Sequence, residues 1–504
     1  MTRGVVVDGA SLAIDDVEAV ANGAAVSLAP SVAARMRATN EVVASIVRAG
    51  TVAYGITTGF GKLSDVAIPP ERLAELQVNL VRSHASGVGP LLSEREVRAM
   101  MLLRANVLAK GFSGARPDLA ELLLGMLNAG LYPPVPEQGS VGASGDLAPL
   151  AHLALALIGD GELKRGDSSG SARDMLASAG LTPLELGPKE GITLINGTQA
   201  HTAIGTLSLV QARILWRTAH VAGAASLDAL LGTPTAFDPR IHDARGQVGQ
   251  AHSATLLQRL LEGSEIRESH RHGDGRVQDA YALRCMPQVH GPVWDAIDFA
   301  GGVIARELNA ATDNPLVFAN GEILSGGNFH GQAVGLALDV LAIALTNLGT
   351  IAERRIDRLV NPGLNEGLPP FLVRDAGVNS GFMMAQVTAA SLASECKVLA
   401  HPATVDTIPT DGNKEDVVPM AMGAAWKLRR IVDNVRYILA IELMCAAQAL
   451  DFRAPLRSSA PIRAAHDAIR SLARHLDRDR VLSPDIETIA AAIATGRFAG
   501  LETQ

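Results

Sequence analysis

Aromatic residues make up only 3% of this 504-residue chain, against 48% hydrophobic residues overall. Its apolar bulk is therefore mostly Ala, Leu, Val and Ile, which suits long packed helices and supplies core enough to exclude disorder. Cysteine is scarcer still. Cys285, Cys396 and Cys445 are far apart and odd in number, so they make neither a disulfide framework nor a CxxC metal site. No sustained basic run occurs and the net charge is −8, which excludes nucleic acid as the expected partner. The first residues carry Arg3, Asp8, Asp15, Asp16 and Glu18 without an unbroken apolar run, so no secretory signal is evident. Longer apolar stretches are interrupted, as by Glu442 and Gln448, which reads against a membrane span. A soluble, cytoplasmic protein is the expectation.

The length suggests more than one domain, and no internal repeat is present. The fold class expected is mainly α: a long-helix bundle over 201–504, preceded by a smaller mixed region over 1–200. Residues 332–360 are apolar nearly all round, with Leu341, Leu345, Leu348 and Ala352 at helical spacing; 381–400 and 420–450 read similarly. A hairpin is expected at Pro315-Leu316-Val317-Phe318, Asn320-Gly321 and Ile323-Leu324. Arg165-Gly166-Asp167-Ser168-Ser169-Gly170 reads as a polar connection. The unusual polar motifs lie between helical segments, so a helical scaffold presenting loops to a shared cavity is the geometric expectation.

The most informative stretch is Gly139-Ser140-Val141-Gly142-Ala143-Ser144-Gly145-Asp146-Leu147-Ala148-Pro149-Leu150. Its three central residues can become an electrophile that no standard side chain supplies. The Gly145 nitrogen attacks the Ala143 carbonyl carbon, since glycine bends that tightly without a Cβ clash. Ser144 then loses its hydroxyl as water, leaving a methylidene conjugated to the new ring. Asp146 is suited to cap the apolar helix expected over 147–158, placing the triplet at a helix N-terminus that withdraws electron density. A G-x-S-x-G nucleophile elbow is ruled out because Asp146 holds the final glycine's place.

This twelve-residue context resembles the signature of the aromatic amino acid ammonia-lyase and aminomutase family, and the resemblance runs from about residue 10 onward. It implies a homotetramer with active sites shared between subunits, a methylidene-imidazolone formed from Ala143, Ser144 and Gly145, and no metal or dissociable cofactor. His270-Arg271-His272, the densest histidine pair, reads as a solvated segment. Tyr54, in Tyr54-Gly55-Ile56-Thr57-Thr58-Gly59, matches the segment carrying the family's base. A free tyrosine has a pKa near 10, so its site would have to favour the phenolate. Arg284 matches the carboxylate clamp, a role suited to a bidentate guanidinium, with Tyr281 and Gln278 beside it. Asn196 corresponds to a polar contact, and Phe329 to a ring beside the electrophile.

Substrate choice rests on Ser83-His84 and Glu415. An imidazole offers nitrogens that a phenyl ring lacks, so a pocket for it needs polar partners. Both positions are similar to those of histidine-selective members. The expected reaction is elimination of ammonia from L-histidine to trans-urocanate, with a phenylalanine or tyrosine lyase, or an aminomutase, as the alternative. Val417 and Pro419 depart from the common pattern, where His and Ser are usual; Lys414 and Ala280 differ from it as well.

Overall fold

The computed structural model describes residues 4–501. They form two compact units. The first runs through Leu207 and adds Ala300–Asp339 and Pro402–Trp426; the second comprises Ser208–Phe299, Val340–His401 and the remainder from Lys427. Four of the boundaries fall inside the helices Gln199–Ala229, Met286–Glu307, Gln332–Val360 and Ala421–Asp451, and the one at His401–Pro402 falls just after the helix Met383–Leu399.

Within the first unit the helix Glu94–Ala109 is buried along almost its whole length. It opens on a capping box: the Glu96 amide donates to Ser93 Oγ, and the Ser93 amide donates to Glu96 Oε2. Leu73–His84, Pro117–Asn128, Leu147–Leu157 and Glu190–Ile195 complete the helical framework that carries the site. The expected hairpin is present, with Leu316–Val317 antiparallel to Ile323–Leu324. A second hairpin, Glu162–Arg165 with Ser168–Ser171, occupies what reads in sequence as a polar connection. Its turn uses Gly166 at φ +56°, and its polar faces carry no alternating apolar signal.

The second unit holds a ring cluster of Trp216, His220, His252, His290 and Trp294. In the same unit, Glu442 is fully buried and takes two hydrogen bonds from Arg355 and one from Ser226. The carboxylate that interrupts the apolar run is therefore half of a buried ion pair. The helices Met383–Leu399 and Ala421–Asp451 match the periodic segments, and Gln332–Val360 does so at both ends. Gln332–Val360 is long and apolar enough to cross a membrane, yet 61% of its most apolar window is buried inside the chain.

Candidate active site

Geometry around the triplet is set by glycines that nothing larger can replace. Gly145 has φ +73°, and a Cβ there would lie 2.1 Å from the Gly197 carbonyl oxygen. That same oxygen accepts the Asp146 amide at 2.7 Å, so the loop at 145–146 is stitched to the loop at 196–197. Asn196 Nδ2 donates to the Ser144 carbonyl at 2.8 Å. Ser144 Oγ donates to Glu415 Oε1 at 2.5 Å, and Thr410 Oγ1 donates to Oε2 of the same carboxylate at 2.5 Å. Ala143 is buried.

Asp146 does not cap its own helix, contrary to the sequence expectation. Its Oδ2 accepts the Ala200 and His201 amides, each at 2.9 Å, at the start of the helix Gln199–Ala229. Ser140 Oγ and His201 Nδ1 donate to Oδ1 at 2.9 and 3.0 Å. Burial alone would raise the Asp146 carboxyl, but the His201 charge and these hydrogen bonds outweigh it and hold it below the ordinary range. Burial likewise opposes the His201 cation, and Asp146 overcomes that to raise it. Both side chains are fully buried, and each favours the charged form of the other.

A cavity of about 1050 Å³ opens over the triplet, entirely within the first unit. Tyr54, His84, Ala143, Ser144, Asn196, Phe329 and Glu415 line it, seven of the side chains expected from sequence. The Tyr54 hydroxyl accepts the Gly61 amide at 3.3 Å. Burial, with the charges of Asp411 and Glu415, raises its pKa above the usual tyrosine value. His84 Nδ1 faces the Leu80 carbonyl at 2.9 Å, and a carbonyl only accepts, so Nδ1 carries the proton. Burial lowers the His84 pKa, leaving a neutral ring whose Nε2 is an acceptor. One cavity thus joins a phenol, a neutral imidazole and a carboxylate around Ala143 and Ser144.

Residues 12–471 match the family model described as aromatic amino acid lyase. The chain belongs to the aromatic amino acid lyase family. It is 54% identical to a histidine ammonia-lyase from Anaeromyxobacter sp. (strain K), with 99% of each chain covered. Among solved structures it resembles a histidine ammonia-lyase from Trypanosoma cruzi, with a TM-score of 0.92, 42% identity, and 99% and 95% of the two chains covered. A tyrosine aminomutase from Streptomyces globisporus matches with a TM-score of 0.93 and 39% identity over 98% of each chain.

Family membership makes the remaining expected residues worth locating. Gln278, Tyr281 and Arg284 belong to the second unit and are not among the cavity's lining residues. Tyr281 is 70% exposed, and the Arg284 guanidinium lies 4.6 Å from its ring centroid. Val417 lines the cavity, and its carbonyl faces His330 Nε2 at 3.2 Å. Pro419 packs beside Gly142. Sequence reasoning missed Thr410, Asp411, His201 and Arg104. Arg104 is fully buried and donates to the Asn196 carbonyl and to Gln199 Oε1, each at 2.8 Å, supporting the Asn196 loop from behind. An arginine inside the otherwise apolar run Met100–Ala105 was the available signal.

Proposed function

We propose that this chain is a histidine ammonia-lyase, converting L-histidine to trans-urocanate and ammonia. It is a carbon–nitrogen lyase. The observation that carries the reading is the meeting of Ala143 and Ser144, two of the triplet, with His84 and Glu415 in one cavity. The residues fit a self-formed methylidene-imidazolone: a glycine nitrogen free of side-chain bulk, a buried alanine carbonyl, and a serine gripped at both carbonyl and hydroxyl. Once formed, that group would supply an electrophile that turns the substrate's amine into a better leaving group.

The chain's own residues do the rest. Tyr54 takes the β-proton; the electron pair becomes the new double bond as the bond to nitrogen breaks. His84 Nε2 and Glu415 are both acceptors: either can take the single N–H of a neutral substrate imidazole and the two together can take those of an imidazolium, whereas a phenyl ring offers none. Asn196 holds the Ser144 carbonyl. In this reading Arg284, with Tyr281 and Gln278, binds the substrate carboxylate in a site completed by another copy of the chain, the active form being a cytoplasmic homotetramer. The exposure of Tyr281 supports a role outside its own chain's cavity.

The test is incubation of the purified protein with histidine, tyrosine and phenylalanine, following each unsaturated acid in the ultraviolet. Urocanate from histidine, with far slower release from the other two, is the expected result. A β-amino acid without accumulating unsaturated acid would make the protein an aminomutase instead. Ser144→Ala, with no hydroxyl to lose, should retain under a thousandth of wild-type turnover, a loss on the order of that seen when a covalent catalyst is removed.

A further inference from the structure

We propose that Asp411 is a positioning residue for Tyr54: its carboxylate clasps the turn at 61–62 and keeps the Gly61 amide aimed at the Tyr54 hydroxyl oxygen. This role rests on the functional reading above and concerns what holds its base ready. The Lys62 amide donates to both Asp411 carboxylate oxygens, at 3.1 and 3.3 Å, across 349 positions of sequence. The preceding amide, on Gly61, donates to the Tyr54 hydroxyl at 3.3 Å. Two successive N–H groups of one turn are thus divided, one to the carboxylate and one to the phenol oxygen. Gly61 sits at φ +53°, and a Cβ there would collide with the Asp411 carboxylate, so that carboxylate lies directly on the turn. It is itself held. Asp411, Gly412 and Asn413 have φ of +46°, +58° and +66°, a left-handed run that is costly for residues with side chains. The Asn413 amide donates to the Thr410 carbonyl at 3.0 Å and the Lys414 amide to the Asp411 carbonyl at 3.1 Å, which keep that run closed.

A phenol acts as a base only with negative charge on its oxygen, and a backbone N–H donated to that oxygen favours the charged form. Asp411 therefore works on Tyr54 in two opposing ways. Its own charge disfavours the phenolate, while the turn it holds delivers the Gly61 donor, and that hydrogen bond is the larger influence of the two. His84, His330, Lys414, Glu415 and Asp416 share the cavity with Tyr54, and Lys62 carries its ammonium on the turn itself. Of these, Glu415 adds to the Asp411 charge at Tyr54, and burial keeps His84 neutral. Charge and clasp can be separated by substitution. Asparagine keeps an acceptor oxygen for the Lys62 amide without the charge; alanine removes both.

The experiment compares wild type, Asp411→Asn and Asp411→Ala, with thermal melting to confirm folding. Two quantities are followed: the pH dependence of kcat, and the ultraviolet phenolate titration of Tyr54. The chain has four tyrosines, so the titration is read by difference against Tyr54→Phe. Asp411→Asn keeps the clasp and loses the charge; its rising limb and its titration should both move to lower pH. Asp411→Ala loses the clasp as well, so both should move to higher pH. On that limb its kcat should fall on the order of tenfold, the worth of one hydrogen bond to a charged group. A charge acting alone would shift the two variants in the same direction. Shifts in one direction, or an Asp411→Ala limb that stays or moves down, overturn the proposal. Should Asp411→Ala fail to fold, Gly61→Ala decides. Its Cβ displaces the same carboxylate from the other side, and a limb and titration that do not move to higher pH overturn the proposal. The titration needs no turnover, so wild-type protein that releases no urocanate sinks the functional reading and leaves the clasp to be decided separately.

Discussion

Tyr54 shares its cavity with Asp411 and Glu415, and their charges bear directly on when it takes a proton. Burial and both carboxylates raise its pKa, so within one chain the phenolate is disfavoured. Tyr54→Phe should leave the melting temperature unchanged and lower kcat by about 10²- to 10⁴-fold, the usual worth of a general base. Asp411→Asn removes one of the raising charges. The limb on which kcat climbs with pH should then move to lower pH; an unmoved limb would mean that another group titrates there. The candidate triplet was legible because its chemistry demands particular residues in a particular order. Thr410 and Asp411 were not, since threonine and aspartate in a polar loop carry no such demand.

At the scale of elements, Asp146 is the tie between the triplet loop and the helix Gln199–Ala229. Its carboxylate lies buried against the His201 cation, and removing one partner of such a pair costs roughly 3–5 kcal/mol. Asp146→Asn should lower unfolding stability by about that amount in urea titration; a loss below about 1 kcal/mol would mean that the pair is not ionic. The helix that Asp146 caps was itself hidden in the sequence. Buried Thr202, Thr206, Thr218 and His220 break its apolar rhythm, although Thr206 and Thr218 satisfy their hydroxyls on carbonyls of the preceding turn. Gln332–Val360 was plain by contrast, because its buried side chains are aliphatic apart from Asp339, Glu353 and Arg355. The hairpin at 316–324 was legible through its Asn-Gly turn; the one at 162–171 has polar faces and an unremarkable Gly-Asp turn.

For the molecule as a whole, buried histidines of opposite character shape the dependence of stability on pH. His220 and His290, in the second unit, are held neutral by burial, with the Arg355 charge adding to it at both; His220 is pushed down to about 3. Unfolding frees them to protonate below about pH 6.5, so stability falls with acidification, by about 2 kcal/mol at pH 5 for His220 alone. His201 is raised and works the other way: its contribution is full below its unfolded value and fades as pH climbs through the raised one. Melting temperature should therefore decline on both sides of a plateau. His220→Phe should shallow the acid slope, and equal slopes would clear that residue. Composition and periodicity alone determined a mainly helical chain, and the order Ala143-Ser144-Gly145 alone marked the candidate triplet, because those properties belong to neighbouring residues. Which carboxylate meets the Ser144 hydroxyl was decided only by tertiary structure. Glu415 lies 271 positions away, and no local preference specifies a 2.5 Å contact across that distance.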